Sequence, residues 1–548
     1  MSFRQELSAA AGTIRAVFSN PDLRRLQFSW AAVSFATWAY AIALGVYAFD
    51  VGGAAAVGVV GLVRLLPGAI ASPFAGTISD RYSRRGVLLA STVAVTAALG
   101  TSAAVGLASG SLALVAALAG LFMVASAPFV PAMGALLPRL ARTPSELSAA
   151  NVAYTFMDNG GFVLGSVSTG LILAVAPIGA AFAVAAVATL LAAFAVARIG
   201  KDSRPHYVGS GLRGVAGETA AGFRGLLKEP GLRLPALVLT LLSLVEGAAD
   251  VFMVVVTLQL LDLSQSSVGW INASWGLGAI ACGAILAVML NRGRLVMATG
   301  IGAVVLAAGF ALPGALVVAV AGYLGFALLG GGYTFAEVAS NTLLQRLGDD
   351  ESLGRVRGAL EAARQGAMAL GSILVPVAIG LVGLRGSLFV FAVIVPAYVL
   401  LRSHRLRQLE VGAPLDERQY SLLRENDVFA PLPVATLERL CHDTEPVDVA
   451  PGEVVITEGE VGDRFYLIES GRVEVFEGAT KVREQGAGES FGEIALLREI
   501  PRTATVKAVE PTRLLALERD SFLAAVTGHD RSHEAAHGVA DARLTPKG

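Results

Sequence analysis

The stretch FGEIALLREIPRTATV, residues Phe491 to Val506, is charged and patterned for holding a phosphate, in a chain that is otherwise mostly apolar. Phe491 and Gly492 lead into a short apolar helix, whose first backbone N–H groups lack helical partners and can face an anion. The rigid guanidinium fork of Arg502 can hold a phosphate, and Glu493 offers an acceptor for a hydroxyl group. The stretch therefore predicts a site for a small phosphate-bearing molecule.

The composition divides the chain into two parts. Of the 548 residues, 54% are hydrophobic and 16% are charged, whereas a soluble protein carries about 25% charged residues. Nearly all long apolar runs lie in 27–402, and 403–548 has an ordinary globular composition. We therefore expect a membrane domain at 1–402, a linker at 403–417 and a soluble domain at 418–548.

Twelve segments of the membrane domain are apolar over about 20 residues, the length that a helix needs to cross a bilayer. Basic residues concentrate in the connections on one side of the predicted spans, whereas the other side has essentially only Arg385. The positive-inside rule therefore places both termini and the C-terminal domain in the cytoplasm, and we expect the plasma membrane, the inner membrane of a bacterium. The predicted spans are 27–49, 53–78, 86–107, 112–136, 150–174, 177–198, 233–260, 267–290, 295–314, 316–340, 356–380 and 384–402.

The membrane domain repeats itself in two halves, about 1–200 and 230–402. In the first half LPRL (137–140) precedes an LGS tripeptide at nearly the spacing at which LQRL (344–347) precedes LGS in the second. Between the halves, 199–232 fits either an interfacial amphipathic helix or a charged linker. The predicted fold is an α-helical polytopic membrane protein of two six-helix halves, followed by an α+β cytosolic domain.

The loop after the second predicted span, GTISDRYSRR, places an acid among three arginines. This pattern, the twelve spans and the repeated halves resemble the major facilitator superfamily, whose signature loop reads G-x-x-x-D-R-x-x-R-R. Flanking segments look like the branch that holds many drug and siderophore exporters. The resemblance implies alternating access through a central cavity, with this loop as a cytoplasmic latch; the alternative is that its arginines only enforce topology. The matching residues are Gly76, Asp80, Arg81, Arg84 and Arg85.

Two carboxylates in the seventh predicted span are candidates for coupling transport to protons. Glu246 and Asp250 are one helical turn apart and share a helix face. Two carboxylates that lie so close favour the binding of a proton near neutral pH. Ionisable groups are costly inside a membrane, which makes them functional candidates by default.

Asp158, Glu361 and Arg364 are further candidates for transport or coupling, although these and the other ionisable residues of the predicted spans also have more ordinary interpretations. Glu361 and Arg364 are three residues apart on the eleventh span and are predicted to pair with each other. Asp158 makes the fifth span polar, as a cavity-lining helix would be. Arg64 and Glu337 lie near predicted span ends, where a snorkelling side chain is the simplest account.

From Val447 onward the period of the sequence changes to short strands cut by glycines, which is typical of a small barrel or jelly roll. The segments PGEVVITEGEVGDRFYLIESGRVEV and FGEIALLREIPRTATV resemble the cyclic nucleotide-binding domain of bacterial catabolite activators and of kinase regulatory subunits. The resemblance implies that Glu493 binds the ribose, that Arg502 binds the phosphate together with the Ala495 backbone, and that the ligand is cAMP or cGMP. The alternative is a degenerate barrel in which Glu493 pairs with Arg502. The predicted binding residues are Phe491, Gly492, Glu493, Ile494, Ala495, Leu496, Arg502, Thr503 and Ala504.

Several classes of protein are disfavoured. A net charge of -1 gives no sign of a nucleic-acid partner. The sequence lacks a nucleophile elbow and a P-loop, so we predict no catalytic residues. His529, His533 and His537 share a predicted helix face, but no acid or cysteine completes a metal site there.

The sequence thus predicts a proton-coupled exporter of a small amphipathic compound, an integral protein of the lipid bilayer, that is regulated by cAMP or cGMP. The alternatives are a non-transporting, membrane-anchored cyclic nucleotide receptor and an exporter of the cyclic nucleotide itself. The choice between monomer and dimer stays open.

Overall fold

The computed structural model describes residues 17–108, 110–200, 212–228, 230–290, 295–347, 350–409, 417–432 and 434–527, together with Gly538. The chain forms two compact units, Met1–Glu410 and Val411–Gly548. We refer to them as the membrane unit and the soluble unit.

The membrane unit consists of helices joined by short connections, with no strand among the residues that the structure describes. Among these residues, nine helices are long and apolar enough to cross a bilayer, which confirms a multi-helix apolar unit. The helices are α1 (Pro21–Arg81), α2 (Arg84–Leu107), α3 (Leu112–Ser126), α4 (Phe129–Leu140), α5 (Pro144–Val175), α6 (Ile178–Ala197), α7 (Leu212–Lys228), α8 (Pro230–Val255) with a π-helical turn (Val256–Leu260), α9 (Gln265–Leu290), α10 (Leu295–Ala315), α11 (Ala319–Leu347) and α12 (Asp350–Leu409).

The longest two helices, α1 and α12, are each broken by a single glycine with positive φ. Gly53 has φ 61° and ψ -153°, and Gly383 has φ 73° and ψ 170°. Such dihedrals suit glycine because a Cβ atom would clash there. Each of the two long helices therefore consists of two helical segments that meet at a sharp kink.

Two predicted connections are helical in the structure. α7 occupies the segment between the halves, and its Leu226 is buried while Phe223 and Arg224 are exposed. Such an amphipathic pattern favours the interfacial helix over the plain linker. α12 continues to Leu409, so it includes 403–409, the first part of the predicted linker.

The N-termini of α1 and α5 are capped by side chains. The Asn20 side-chain oxygen accepts from the backbone N–H of Asp22 at 3.2 Å. The Thr143 hydroxyl accepts from the Glu146 N–H at 3.1 Å, and the Glu146 carboxylate accepts from the Arg142 N–H at 2.6 Å. This hydrogen bond from Arg142 is the main reason why the pKa of Glu146 is lowered.

The soluble unit consists of two four-stranded antiparallel sheets with helices at both ends of the domain sequence. The strand orders are β1-β8-β3-β6 and β2-β7-β4-β5. The elements are α13 (Glu417–Glu425), α14 (Val434–Asp443), β1 (Glu445–Val449), β2 (Val454–Ile456), β3 (Arg464–Ser470), β4 (Arg472–Glu477), β5 (Thr480–Gly486), β6 (Ser490–Phe491), α15 (Glu493–Arg498), β7 (Thr505–Ala508), β8 (Thr512–Glu518) and α16 (Arg519–Thr527).

Two apolar clusters hold the soluble unit together. One draws on both sheets, with Ile468 from the first and Val473 from the second fully buried. The other joins the helices to the first sheet, where the rings of Phe465 and Phe522 stack at 4.8 Å. The first cluster fixes the two sheets against each other, and this fixes the walls of the cleft described next.

Candidate functional site

A cleft of about 620 Å³ opens in the soluble unit between the second sheet and α15. The cleft combines apolar walls with a few polar groups, the character of sites for small organic ligands. It is lined by Ile456, Val475, Glu477, Val482, Arg483, Gln485, Phe491, Gly492, Glu493, Ile494, Ala495, Arg502, Thr503, Ala504 and Val506. The lining thus brings together eight of the nine residues predicted to bind the ligand. The ninth, Leu496, is 1% exposed and packs into the cluster around Phe465 instead.

The turn before α15 places the start of that helix at the cleft. Gly492 has φ 93°, so the chain reverses there and begins α15 at Glu493. A Cβ at Gly492 would lie 2.7 Å from Nη1 of Arg502 and 3.1 Å from the carbonyl oxygen of Arg464. Both the backbone conformation and the space therefore require glycine at this position.

Arg502 is a buried cation at the base of the cleft, 6% exposed. Its Nη1 donates to the carbonyl of Gly492 at 2.9 Å, and its Nη2 donates to the carbonyl of Arg464 at 2.7 Å. An acid oxygen of Asp463 lies 3.6 Å from Nη2, on a side chain that is 78% exposed. Burial lowers the pKa of the Arg502 guanidinium, although a guanidinium stays protonated in proteins.

The remaining walls offer one polar edge and one apolar edge. Glu493 is 1% exposed at the first turn of α15, where its carboxylate can accept from a ligand hydroxyl. Val475 and Val482 of β4 and β5 supply apolar surface on the opposite wall. Arg483 and Glu477 bring charge to that wall, and the sequence analysis named no residue of this wall as a binding residue. The alternation of valine with charged residues in RVEV, at the start of β4, is the signal that could have indicated this half-buried wall.

In the membrane unit, the three helices α8, α11 and α12 share one hydrogen-bonded cluster. The Tyr333 hydroxyl donates to the Glu246 carboxylate at 2.7 Å and accepts from Nη2 of Arg364 at 3.1 Å. Arg364 also forms an ion pair with Glu337 at 2.6 Å and donates through Nε to Ser243 at 2.9 Å. Tyr333 and Ser243 were missed by the sequence analysis, because neutral polar residues in spans give no distinctive signal.

The predicted pair of Glu361 with Arg364 is wrong in its partner. Arg364 lies on the face of α12 that meets α8 and α11, so it binds Glu337 across the helix packing. Glu361 is exposed and accepts instead from the side-chain amide of Gln365 at 3.0 Å. Glu361 and Arg364 both line a second opening of about 990 Å³ between α11 and α12.

Asp250 has a partner of its own. Its carboxylate accepts from Nη2 of Arg64 at 3.1 Å, so the two predicted coupling carboxylates have different partners. Arg64 and Asp250 line a mostly apolar cavity of about 550 Å³, together with Trp38, Asn272 and Ser372. Arg64 therefore lies at a cavity wall, where the sequence analysis expected a snorkelling side chain.

Asp158, the remaining predicted transport residue, accepts from the hydroxyl of Ser34 at 3.0 Å, which joins α5 to α1.

The predicted latch loop is described only in part. Arg81 is exposed and Arg84 is half-buried. Nη2 of Arg85 donates to the carbonyl of Ala197 at the end of α6, at 2.6 Å. Gly76 has open space around its Cα, and the Asp80 side chain lies outside the described side chains. The latch stays a prediction.

No group of three or more His, Cys, Asp or Glu residues that could hold a metal ion occurs within the described part of the chain. The three histidines at 529, 533 and 537 lie outside that part.

Two family models match this chain. The model of the Major Facilitator Superfamily matches residues 28–372, and that of the Cyclic nucleotide-binding domain matches residues 446–529. Both families are non-enzymatic.

Curated relatives match a short part of the chain. The cAMP-dependent protein kinase regulatory subunit of Yarrowia lipolytica is 38% identical over 106 residues, which cover 19% of this chain and 28% of the relative. That of Blastocladiella emersonii is 46% identical over 86 residues, covering 15% of this chain and 21% of the relative. The chain thus spans about a quarter of the length of these relatives.

Solved structures match the same region. The regulatory domain of Toxoplasma gondii PKA with cAMP is 28% identical, with a TM-score of 0.20, over 23% of this chain and 57% of that one. The Thermus thermophilus Catabolite Activator Protein is 29% identical, with a TM-score of 0.20, over 22% of this chain and 58% of that one.

Proposed function

We propose, from the premise that this chain belongs to the Major Facilitator Superfamily, that it is a secondary active transporter regulated by cyclic nucleotide. It is a proton-coupled exporter of a small amphipathic compound, and cAMP or cGMP binds its cytosolic C-terminal domain. The observation that carries the regulatory part is the buried Arg502 guanidinium at the base of the cleft between the second sheet and α15.

The proposed architecture has twelve spans in two halves, 1–200 and 230–402, and a cyclic nucleotide-binding domain at 418–548. The breaks at Gly53 and Gly383 support this count, because each divides a long helix into two segments. The strand orders β1-β8-β3-β6 and β2-β7-β4-β5 support a jelly roll, in which two four-stranded sheets face each other. The exposed Arg81 and Arg142 support a cytoplasmic location for their end of the unit.

The nucleotide pose follows from the chemistry of the cleft walls. The cyclic phosphate binds Arg502 and the first backbone N–H groups of α15, because both supply positive charge at one place. The ribose 2′-hydroxyl donates to Glu493, and the purine contacts Val475 and Val482. The kinase regulatory subunits similar to this domain are named for dependence on cAMP, which favours cAMP over cGMP.

Calorimetric titration of the purified full-length protein with cAMP and with cGMP tests this assignment. We expect saturable one-site binding of at least one of the two nucleotides. The absence of heat and of competition with a fluorescent cAMP analogue would remove the regulatory part of the proposal.

The proposed transport route passes through the cavity beside Arg64 and Asp250. Its walls are mostly aliphatic with one ion pair and the polar Asn272, which suits a compound with an apolar body and a polar group. Glu246 and Asp250 are the proposed proton-coupling carboxylates, since both lie within the spans and both have hydrogen-bonded partners.

Flux in proteoliposomes tests transport and its regulation together. Ethidium serves as a probe amphipathic cation, and uptake under a proton gradient is compared with and without cAMP for the native protein and for Arg502→Ala. We expect cAMP to change the rate of the native protein only. Identical rates in all four conditions would contradict regulation by nucleotide.

A membrane-anchored receptor without transport is the second candidate. It is favoured by the kinase regulatory subunits described above, which are regulatory proteins that match the C-terminal domain. The variant Glu246→Gln/Asp250→Asn separates the two. A proton-driven flux that this variant abolishes supports the exporter, and a protein that binds nucleotide but drives no proton-linked flux supports the receptor.

A further inference from the structure

The first half of the membrane unit, α1 to α6, and the second half, α8 to α12, meet closely at one end. We call this the kink end, because Gly53 and Gly383 lie there; the opposite end, with Arg81 and Arg142, is the basic end. We propose that the ion pair between Arg64 and Asp250 is the lock that holds the two halves together at the kink end. The proposal rests on the proposed function, and it assigns Asp250 a role that Glu246 does not share.

One close contact at the kink end joins α1 to α12. A Cβ on Gly58 would lie 2.6 Å from Cγ of Pro376 and 2.7 Å from the carbonyl oxygen of Ser372. A Cβ on Gly61 would lie 2.8 Å from Cβ of Ser372. The two helices therefore approach each other as closely as glycine allows.

A second close contact joins α5 to α9. A Cβ on Gly269 would lie 2.5 Å from the carbonyl oxygen of Ser166 and 2.6 Å from the backbone nitrogen of Gly170. Nearby, the side-chain amide of Gln265 donates to the carboxylate of Asp50 at 2.8 Å, which ties α9 to α1. Two separate helix pairs thus close the same end of the unit.

At the basic end, three side-chain hydrogen bonds among the described residues join segments of the first half to each other. Asn20 donates to the carbonyl of Leu140 at 2.9 Å. Arg25 donates to the carbonyl of Arg198 at 2.7 Å, and Arg85 donates to the carbonyl of Ala197. These bonds lie within one half, whereas the glycine contacts and the Gln265–Asp50 bond at the kink end cross between the halves.

The Arg64–Asp250 pair lies directly beside the kink-end contacts. Arg64 is one turn beyond Gly61 on α1, so the two residues share a helix face, and both line the same cavity. Arg64 belongs to the first half and Asp250 to the second, and their side chains are only 11% and 28% exposed. Separation of the halves at this end would leave both charges without a partner in a poorly hydrated place, which is costly.

The other charged groups near Asp250 are engaged elsewhere. Glu246 on α8 accepts from Tyr333 on α11, and Arg364 on α12 binds Tyr333 and Glu337. This cluster lies wholly within the second half, so it can move as one body when the halves separate. Neutralisation of Asp250, by protonation or by Asn, would therefore release the halves and leave the cluster intact.

Spin labels at the kink end measure the proposed lock directly. Val175 at the end of α5 is 87% exposed, and Leu381 on α12 near Gly383 is 80% exposed. Both positions accept a label without repacking, and they belong to different halves. Val175→Cys and Leu381→Cys are introduced together with Cys282→Ala and Cys441→Ala. Distances are recorded by double electron–electron resonance on the full chain in proteoliposomes at neutral pH, without nucleotide or substrate.

We expect one short distance for the native pair and for Arg64→Lys, which keeps the charge. Asp250→Asn is expected to raise the ratio of long to short distances at least tenfold. The exchanged variant Arg64→Asp/Asp250→Arg is expected to restore the short distance. Elution of each variant as a single species shows that it is folded.

Two results would overturn the lock. One is an unchanged distance in Asp250→Asn; the other is a long distance in both Asp250→Asn and the exchanged variant, which would mean that Asp250 acts through another group. Failure of the proposed function has a different signature, since a protein without proton-linked flux can still show the distance change.

Discussion

The membrane unit contains the half-buried Arg364 and the soluble unit contains the buried Arg502. The positive charges of these two arginines are compensated to different extents. Arg364 has an acid at 2.6 Å and two hydroxyl partners, so its charge is compensated within the fold. Arg502 donates to two backbone carbonyls, and the carboxylate of Asp463, 3.6 Å from it, is on an exposed side chain. The charge of Arg364 is thus balanced by an acid of the same unit, whereas Arg502 is suited to bind an anion supplied by a ligand.

The largest effect on stability should follow from removing the guanidinium of Arg364, whose charge is compensated within the fold. Arg364→Gln leaves Glu337 as an unpaired, partly buried carboxylate, which we expect to cost about 3 kcal/mol of stability. Removal of both charges, in Arg364→Gln/Glu337→Gln, should cost clearly less than the single change. The measurement is the thermal unfolding midpoint in detergent. A double variant that is less stable than Arg364→Gln would contradict compensation within the fold.

The second effect concerns Arg502 and the affinity for cyclic nucleotide. Arg502→Ala should lower the affinity for cyclic nucleotide by about 3 kcal/mol, roughly a hundredfold, because a charge-assisted contact is lost. The unliganded domain should lose less stability than Arg364→Gln costs the membrane unit. Titration calorimetry measures the affinity, with Lys507→Ala, an exposed lysine of β7 outside the cleft, as the control. Equal affinities of the native protein and Arg502→Ala would remove the contrast between the two arginines.

The third effect separates the ribose contact from the phosphate contact. Glu493→Gln should weaken cAMP binding by about 1.5 kcal/mol, roughly tenfold, because the hydrogen bond loses its charged acceptor. The substitution should leave the affinity for 2′-deoxy-cAMP nearly unchanged, since that ligand lacks the hydroxyl. An equal loss for both ligands would mean that Glu493 shapes the cleft without contacting the ribose.

The smallest effect tests the turn that positions Arg502. Gly492→Ala should destabilise the domain by about 1 kcal/mol from its positive φ and should also weaken nucleotide binding by displacing Nη1 of Arg502. Gly478→Ala is the matched control, because Gly478 has φ 59° and open space around it. It should show a similar loss of stability without a loss of affinity. Equal affinities of the two variants would show that the Gly492 contact does not matter for binding.

The parts of the site that the sequence predicts are those that are contiguous in the chain. The run from Phe491 to Ala504 encodes a turn, a helix start and an arginine within fourteen positions, so local chemistry is enough to place them. The opposite wall, with Val475 and Val482, depends on sheet pairing. In the membrane unit the partners are farther apart: Tyr333 and Glu246 are separated by 87 positions, and Arg64 and Asp250 by 186.

The same distinction explains the outcomes of the fold prediction. Apolar length and strand period are local properties, and both the helical unit and the sheet domain are confirmed in these coarse terms. The pairing of Arg364 is not local, because the helix face that it occupies is decided by α8 and α11. The spacing of three residues therefore predicted Glu361 as the partner of Arg364. In the structure, helix packing places Glu337 beside Arg364 instead.

The kinks at Gly53 and Gly383 have a practical consequence for mapping the topology of this protein. Each reverses the chain with almost no non-helical backbone, so a protease or an inserted epitope tag would find little extended chain there. The non-helical segment 261–264 between the π-helical turn and α9 is a better insertion point, because its backbone is already outside any helix. A tag at 261–264 should be accepted with the protein still eluting as one species, whereas the same tag at Gly53 should prevent assembly.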